Sequence, residues 1–282
     1  MSGIGLALGG GGVKGLAHVG ALSALAAHGV PVGRVAGTSI GALVGAFYAS
    51  GKTPDEMLRL LSSVRLTSLF ALRLDGRALV GVDPMRKFLR TQLGQAQIET
   101  LAVPLTVVCT DLETGERVCL GEGDLVDAVM ASTAVPGVFA PVRIGGRLLV
   151  DGGLSSNLPV QALRERGCSA VVAVRLFHLR HTAPSALASR TRLSLWVQRF
   201  ADLFQDEDED LPRALETAAR GVDILMAGLE AATLVAHPPD VLIAPDLSDV
   251  GLLELGEDRG ALFERGHAAT EAQAERLRAL AD

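Results

Sequence analysis

LALGGGGVKGLAHVG, residues Leu6 to Gly20, sets the reading of the whole chain. An apolar run is followed by four glycines, a valine, a lysine and a fifth glycine, and then by an apolar segment with helical spacing. That order predicts a buried strand, a bare loop and a helix, the opening unit of an α/β fold. Glycines leave backbone N–H groups uncovered, and N–H groups at a helix N-terminus attract negative charge. The loop therefore calls for an anion, either a nucleotide phosphate or a charge that exists only during a reaction.

Outward from this stretch the pattern alternates. Gly3–Leu8 reads as a short strand, about Lys14 to His28 as a helix, Val30–Ala36 as a second strand and Ile40–Ser50 as a second helix. In TPDEMLRLL, Thr53 stands as an N-cap, with Pro54 at the first helical position and Glu56 three residues after the cap. VDPMRKFLRTQLG repeats the logic with Asp83 and Pro84 and closes at Gly94. Val103–Asp111 reads as a central strand, Arg117–Leu120 as a short one, Asp124–Ser132 as a helix, and PVRIGGRLLV as a hairpin turning at Gly145-Gly146. A helix near Pro159–Arg166 and a strand at Ala170–Leu176 follow. Ala186–Phe204 and Leu211–Ala236 have helical periodicity on either side of the acidic run QDEDED, which reads as a solvated loop. Val241–Ala244 is a last strand and Ala261–Leu280 a last helix. The expectation is a three-layer α/β/α sandwich with a mostly parallel central sheet, in one domain over residues 1–282.

Composition agrees and narrows the function. Hydrophobic residues make up 49% and aromatics 4%, so the core is built from Ala, Val, Leu and Ile. The net charge is −6 and no Lys/Arg cluster interleaves with aromatics, which excludes nucleic acid as the expected partner. Cys109, Cys119 and Cys168 form no metal or redox motif and read as reduced core residues of a cytoplasmic protein. No basic segment precedes the first apolar run, so no signal peptide is expected. The longest stretches free of Asp, Glu, Lys and Arg, Gly15–Gly33 and Val35–Gly51, read as buried elements rather than membrane spans.

The glycine loop has three readings. Gly10-Gly11-Gly12-Val13-Lys14-Gly15 satisfies the dinucleotide spacing G-x-G-x-x-G, but that fingerprint wants an acidic residue about 20 positions on. The first Asp or Glu in the chain is Asp55. A phosphate-gripping Gly-Lys-Ser/Thr ending is absent too, so no nucleotide cofactor is expected. A tight packing turn explains one or two glycines, not four in a row. The third reading is an oxyanion hole, which needs a nucleophile nearby.

Gly37-Thr38-Ser39-Ile40-Gly41 supplies a candidate, a G-x-S-x-G between a short strand and an apolar helix. Flanking glycines remove the Cβ atoms that would clash where the chain turns sharply at Ser39. Of the six histidines, His18, His28, His178, His181, His237 and His267, none follows a strand with an acidic partner pattern, so each reads as a surface or helix-packing residue. A carboxylate held in a poorly solvated site can replace histidine as base. Asp151, which ends the apolar strand of LLVDGGLSSNLPV and precedes Gly152-Gly153, is the best candidate; Asp-Gly-Gly is also an ordinary turn.

GGGGVKG, GTSIG and DGG, in that order, resemble the patatin-like phospholipase family. ASTAVPGVFAP (Ala131–Pro141), DGGLSSNLPV (Asp151–Val160) and PPDVLIAPDL (Pro238–Leu247) resemble further blocks of its bacterial members. The resemblance implies a Ser–Asp hydrolase of acyl-lipid esters, with Ser39 as nucleophile, Asp151 as proton acceptor, and Gly10, Gly11 and Gly12 as the oxyanion loop. Lys14 takes the basic position of that loop, where it favours a lipid phosphate, steadies the loop, or is an exposed helix-start lysine. No metal or cofactor is implied. Acyl transfer to an alcohol, and a non-catalytic acyl-ligand or protein binder on the same fold, are the alternatives. Thr182–Thr233 matches family patterns least. Within it LSLWVQRFADLF, with Trp196, reads either as core packing or a dimer contact, or as lining for an acyl pocket or peripheral membrane contact.

Overall fold

The computed structural model describes residues 3–63, 71–72, 80–81, 83–136, 139–177, 210–247, 249–250 and 259–281. The chain opens with β1 (Ile4–Leu8), a 3₁₀ turn over Gly12–Gly15, α1 (Leu16–Ala27), β2 (Val32–Thr38), α2 (Ile40–Ala49) and α3 (Pro54–Ser63). A two-stranded ribbon, β3 (Ala71–Leu72) with β4 (Val80–Gly81), precedes α4 (Asp83–Leu93), β5 (Leu105–Asp111), β6 (Arg117–Leu120) and α5 (Leu125–Ser132). Then come the hairpin β7 (Val142–Ile144) and β8 (Arg147–Asp151), α6 (Gly153–Ser156), α7 (Val160–Glu165) and β9 (Val171–Val174). The described chain ends with α8 (Asp210–Ala236), β10 (Val241–Ile243), α9 (Arg259–Glu271) and α10 (Ala274–Ala281).

The main sheet runs β10-β9-β1-β2-β5-β8-β7, with β6 also paired to β5. From β10 to β5 every pairing is parallel, while β6, β7 and β8 pair antiparallel. Strand alternation sorts the core into two layers. Leu6, Leu8, Val35, Val107 and Cys109 face one side, where α1, α2 and α5 pack. Ala7, Ala36, Val108, Val171 and Ala173 face the other, against Val160 and Leu163 of α7 and with Leu234 of α8. Helices on both faces of a mostly parallel sheet are the expected sandwich.

Small residues set the closest helix crossing. Gly20 of α1 and Gly266 of α9 lie at the contact, where a Cβ on either would fall onto the partner's backbone, at Phe263 O and Ala17 O respectively. His28 and Glu271 close the far end of this pair at 2.9 Å.

Several boundaries differ from expectation for local reasons. The fifth strand begins at Leu105 rather than Val103 because Pro104 has no N–H for a ladder; its carbonyl instead accepts from Val35 at 2.9 Å. The helix expected over Ala261–Leu280 breaks at Ala272–Gln273, two residues after Thr270 turns its hydroxyl back to the Gly266 carbonyl at 2.9 Å, a bond that bends helices. The ribbon β3–β4 had no recognisable pattern. Thr53 and Glu56 make the expected reciprocal cap, Thr53 N–H donating to Glu56 Oε2 at 2.8 Å. Ala186–Phe204, the acidic run to Glu209, His178 and His181 lie outside the described residues.

Candidate active site

Parallel strands deliver their following loops to one end of the sheet. β1 and β2 are neighbours with Leu8 opposite Gly37, so the glycine loop and Ser39 emerge side by side. At Ser39 the backbone takes φ 54° and ψ −121°, and Ser39 is the one non-glycine at positive φ among the described residues. Such a conformation is costly for an L-residue and persists where the surroundings over-determine it. Gly41 allows the turn, since a Cβ there would meet the Leu8 carbonyl; a Cβ at Gly37 would meet the Gly41 carbonyl and Ala42. Ser132, at the end of α5, closes the brace: its hydroxyl accepts from Ser39 N–H at 2.8 Å and donates to the Val108 carbonyl at 2.6 Å.

Asp151 arrives from the opposite direction. On β5, Thr38 is opposite Val108 and Asp151 is opposite the next residue, Cys109. β6 occupies the other edge of β5 through Val107–Thr110, so β2 and β8 meet head-on along a single edge. The result is a 2.6 Å hydrogen bond from Ser39 Oγ to Asp151 Oδ2. The second carboxylate oxygen accepts from Gly153 N–H at 2.8 Å, and Thr110 Oγ1 donates to the Asp151 carbonyl at 2.9 Å. Burial pushes the Asp151 carboxyl up to about 6, against the lowering effect of its bonds to Ser39 and Gly153. Thr38 is buried and anchors the α6 side through Ser156 O at 2.8 Å. Gly152 passes where a Cβ would strike the Val108 carbonyl.

The glycine loop is less uniform than its sequence. Gly9 N–H donates to Val174 O at 3.1 Å and Gly10 N–H to Asn157 O at 3.0 Å. Gly10 is therefore corrected from anion donor to structural contact: its N–H is spent. Its Cα packs beside Ser39, with a would-be Cβ 3.5 Å from Ser39 Cβ. Gly11 and Gly12 N–H groups make no hydrogen bond among the described residues. Gly15 is bare against Ile40, and Val13 packs on the core. Lys14 is buried, 2% exposed, and its Nζ reaches Leu176 O at 3.5 Å, which corrects the exposed helix-start reading.

Among the described residues no histidine hydrogen-bonds to Ser39 or Asp151. His18 lies beneath the loop with Nε2 2.7 Å from Gly9 O, and burial lowers it to about 4, so it is neutral. His28 pairs with Glu271. Cys109, Cys119 and Cys168 are free thiols. No group of three or more His, Cys, Asp or Glu among the described residues is placed to hold a metal, and no described helix is long and apolar enough to cross a membrane.

Residues 6–164 match the family model described as patatin-like phospholipase. The chain belongs to this family. The patatin-like chain is 37% identical over 199 residues to an uncharacterized NTE family protein of Mycobacterium tuberculosis, covering 70% of this chain and 55% of that one. It is 31% identical over 263 residues to the lysophospholipase NTE1 of Pyricularia oryzae, covering 90% of this chain and 17% of that protein. It thus spans about half of the first relative and a sixth of the second. Among solved structures, VipD from Legionella pneumophila shares the fold, with a TM-score of 0.59 at 14% identity over 98% of this chain and 67% of that one.

Three residues of this patatin-like site were not singled out from the sequence. Ser132 and Asn157 lie inside the blocks ASTAVPGVFAP and DGGLSSNLPV, whose resemblance was the available signal. Glu230 of α8, buried with its Oε2 accepting from Asn157 Nδ2 at 2.6 Å, had none.

Proposed function

We propose that this chain hydrolyses acyl-lipid esters, with Ser39 as nucleophile, Asp151 as its base and Gly11 and Gly12 as oxyanion donors. The observation that carries the reading is the 2.6 Å bond from Ser39 Oγ to a buried carboxylate in a chain of the patatin-like phospholipase family. Lysophospholipase activity in the name of the Pyricularia relative supports a lipid ester as substrate class.

In this cycle Asp151 takes the Ser39 proton as Oγ forms a bond to the ester carbonyl carbon. A carboxyl raised to about 6 suits this task at neutral pH, being mostly ionised yet more basic than an ordinary aspartate. Negative charge moves to the carbonyl oxygen, toward the unspent N–H groups of Gly11 and Gly12 and the N-terminus of α2. The tetrahedral species collapses, the C–O bond breaks, and Asp151 returns its proton to the leaving alcohol. Water then repeats the sequence on the acyl-serine, giving the free fatty acid and restoring Ser39. The pre-strained turn at Ser39 keeps Oγ in place for both steps.

The test is turnover of a p-nitrophenyl acyl ester by Ser39→Ala and Asp151→Asn, with circular dichroism to check folding. Both variants are expected to lose hydrolysis while staying folded. Near-normal turnover by Asp151→Asn would remove the proposed base.

A further inference from the structure

Helix α8 lies in the stretch with least family likeness, yet one of its side chains reaches Asn157, whose carbonyl holds the glycine loop at Gly10. Glu230 is fully buried, and its Oε2 accepts from Asn157 Nδ2 at 2.6 Å. Its other oxygen lies 2.7 Å from Arg175 Nε, while that N–H points to the Phe177 carbonyl at 3.1 Å. Arg175 thus supplies balancing charge, and the directional bond of the carboxylate goes to Asn157. Asn157 is itself 1% exposed and touches the loop twice. Its carbonyl receives Gly10 N–H, and its Oδ1, which has no hydrogen-bond partner, sits where a Gly10 Cβ would be and 3.3 Å from where a Gly153 Cβ would be.

A buried carboxylate is expensive, and an apolar side chain would fill the same space at lower cost. What the carboxylate adds is direction. An ionised carboxylate only accepts hydrogen bonds, so the Asn157 NH₂ must face it and Oδ1 must face Gly10 and Gly153. Without that constraint the amide is free to turn and present two N–H groups to the same narrow space.

We infer that Glu230 is a positioning residue: acting through Asn157, it fixes the height of the glycine loop over Ser39, so that the Gly11 and Gly12 N–H groups meet the developing oxyanion. This rests on the function proposed above. It makes α8 part of the reaction machinery.

Two conservative variants remove reach and direction separately. Glu230→Gln keeps the length but puts an amide, donor as well as acceptor, opposite Asn157, so the Asn157 side chain is no longer held one way round. Glu230→Asp keeps the charge for Arg175 but withdraws it by one methylene, about 1.5 Å, beyond reach of Asn157. With a p-nitrophenyl acyl ester, Glu230→Asp is expected to lower kcat about 10-fold or more with KM within about 3-fold, as a misplacement of about 1 Å does. Glu230→Gln is expected to lower kcat by about 10-fold as well, with KM within about 3-fold, because reach is kept but the direction of the Asn157 amide is lost. Asn157→Ala combined with Glu230→Asp is expected to be no slower than Asn157→Ala alone, because both act on one path. Wild-type kcat in either single variant, a loss carried by KM rather than kcat, or losses that multiply in the double variant would each overturn the inference. Wild type and Ser39→Ala are run alongside: an inactive wild type, or an active Ser39→Ala, strikes at the proposed function instead.

Discussion

Asp151→Asn is expected to do more than stop turnover; it should stabilise the fold. Burial raises the Asp151 carboxyl from 3.8 to about 6. At about 1.4 kcal/mol per pH unit, keeping it charged costs the folded state about 3 kcal/mol. Below pH 4 the carboxyl is protonated whether folded or unfolded, so Asp and Asn are equivalent. Between pH 4 and 6 the unfolded chain releases the proton while the folded chain holds it, and stability falls as pH rises. Above about 6 both are ionised and the deficit is constant. Asparagine avoids the charge and keeps the contacts: Oδ1 can accept from Gly153 N–H while Nδ2 donates to Ser39 Oγ. The reversed bond to Ser39 is why chemistry stops. The assay is paired thermal melting of wild type and Asp151→Asn from pH 4 to 8. The two should coincide near pH 4 and separate by about 6 °C at pH 8, taking about 2 °C per kcal/mol for a chain of this size. A variant that melts at or below wild type at pH 8, or a gap independent of pH, would refute the reasoning.

In the proposed cycle ionised Asp151 is the active form, so kcat/KM should fall about tenfold per pH unit below pH 6 and level off above it, read from pH–rate profiles. Ser132→Ala leaves the Ser39 N–H without its acceptor at the strained turn; a loss of about 1–3 kcal/mol in urea unfolding and a lower kcat are expected. Gly266→Ala drives a methyl into the Ala17 carbonyl of α1 and should lower the melting temperature, whereas Gly221→Ala, in open space, should not. The proposed cycle recruits no metal, so EDTA should leave esterase activity unchanged; strong inhibition would speak against it.

What could be read in advance was what is written locally. Ser39 follows an apolar strand and Asp151 ends one, each beside glycines, so two sharp turns with a polar side chain at each are marked in a few residues. The layers were legible for a similar reason: Leu6, Ala7 and Leu8 alternate between two cores, and runs buried on both faces imply helices on both. Ser132 was not legible as the brace, because it meets Ser39 across 93 residues and looks like any serine ending a helix. Glu230 lies 73 residues from Asn157, in a helix whose pattern reads equally well with the carboxylate in solvent. The spent N–H of Gly10 was hidden too, since four identical glycines differ only in what the neighbouring chain brings to them.

The head-on meeting of β2 and β8 along β5 has a consequence for how this protein can change. Ser39 and Asp151 are far apart in the chain, but their separation in space is gauged by one peptide step, from Val108 to Cys109. Loops between them can lengthen, shorten or acquire whole insertions without parting Ser39 Oγ from Asp151 Oδ2, provided β5 keeps its count. A single residue added to β5 between those two positions would do what a hundred added elsewhere would not. The geometry thus tolerates changes of length in the connections and resists them in this one strand.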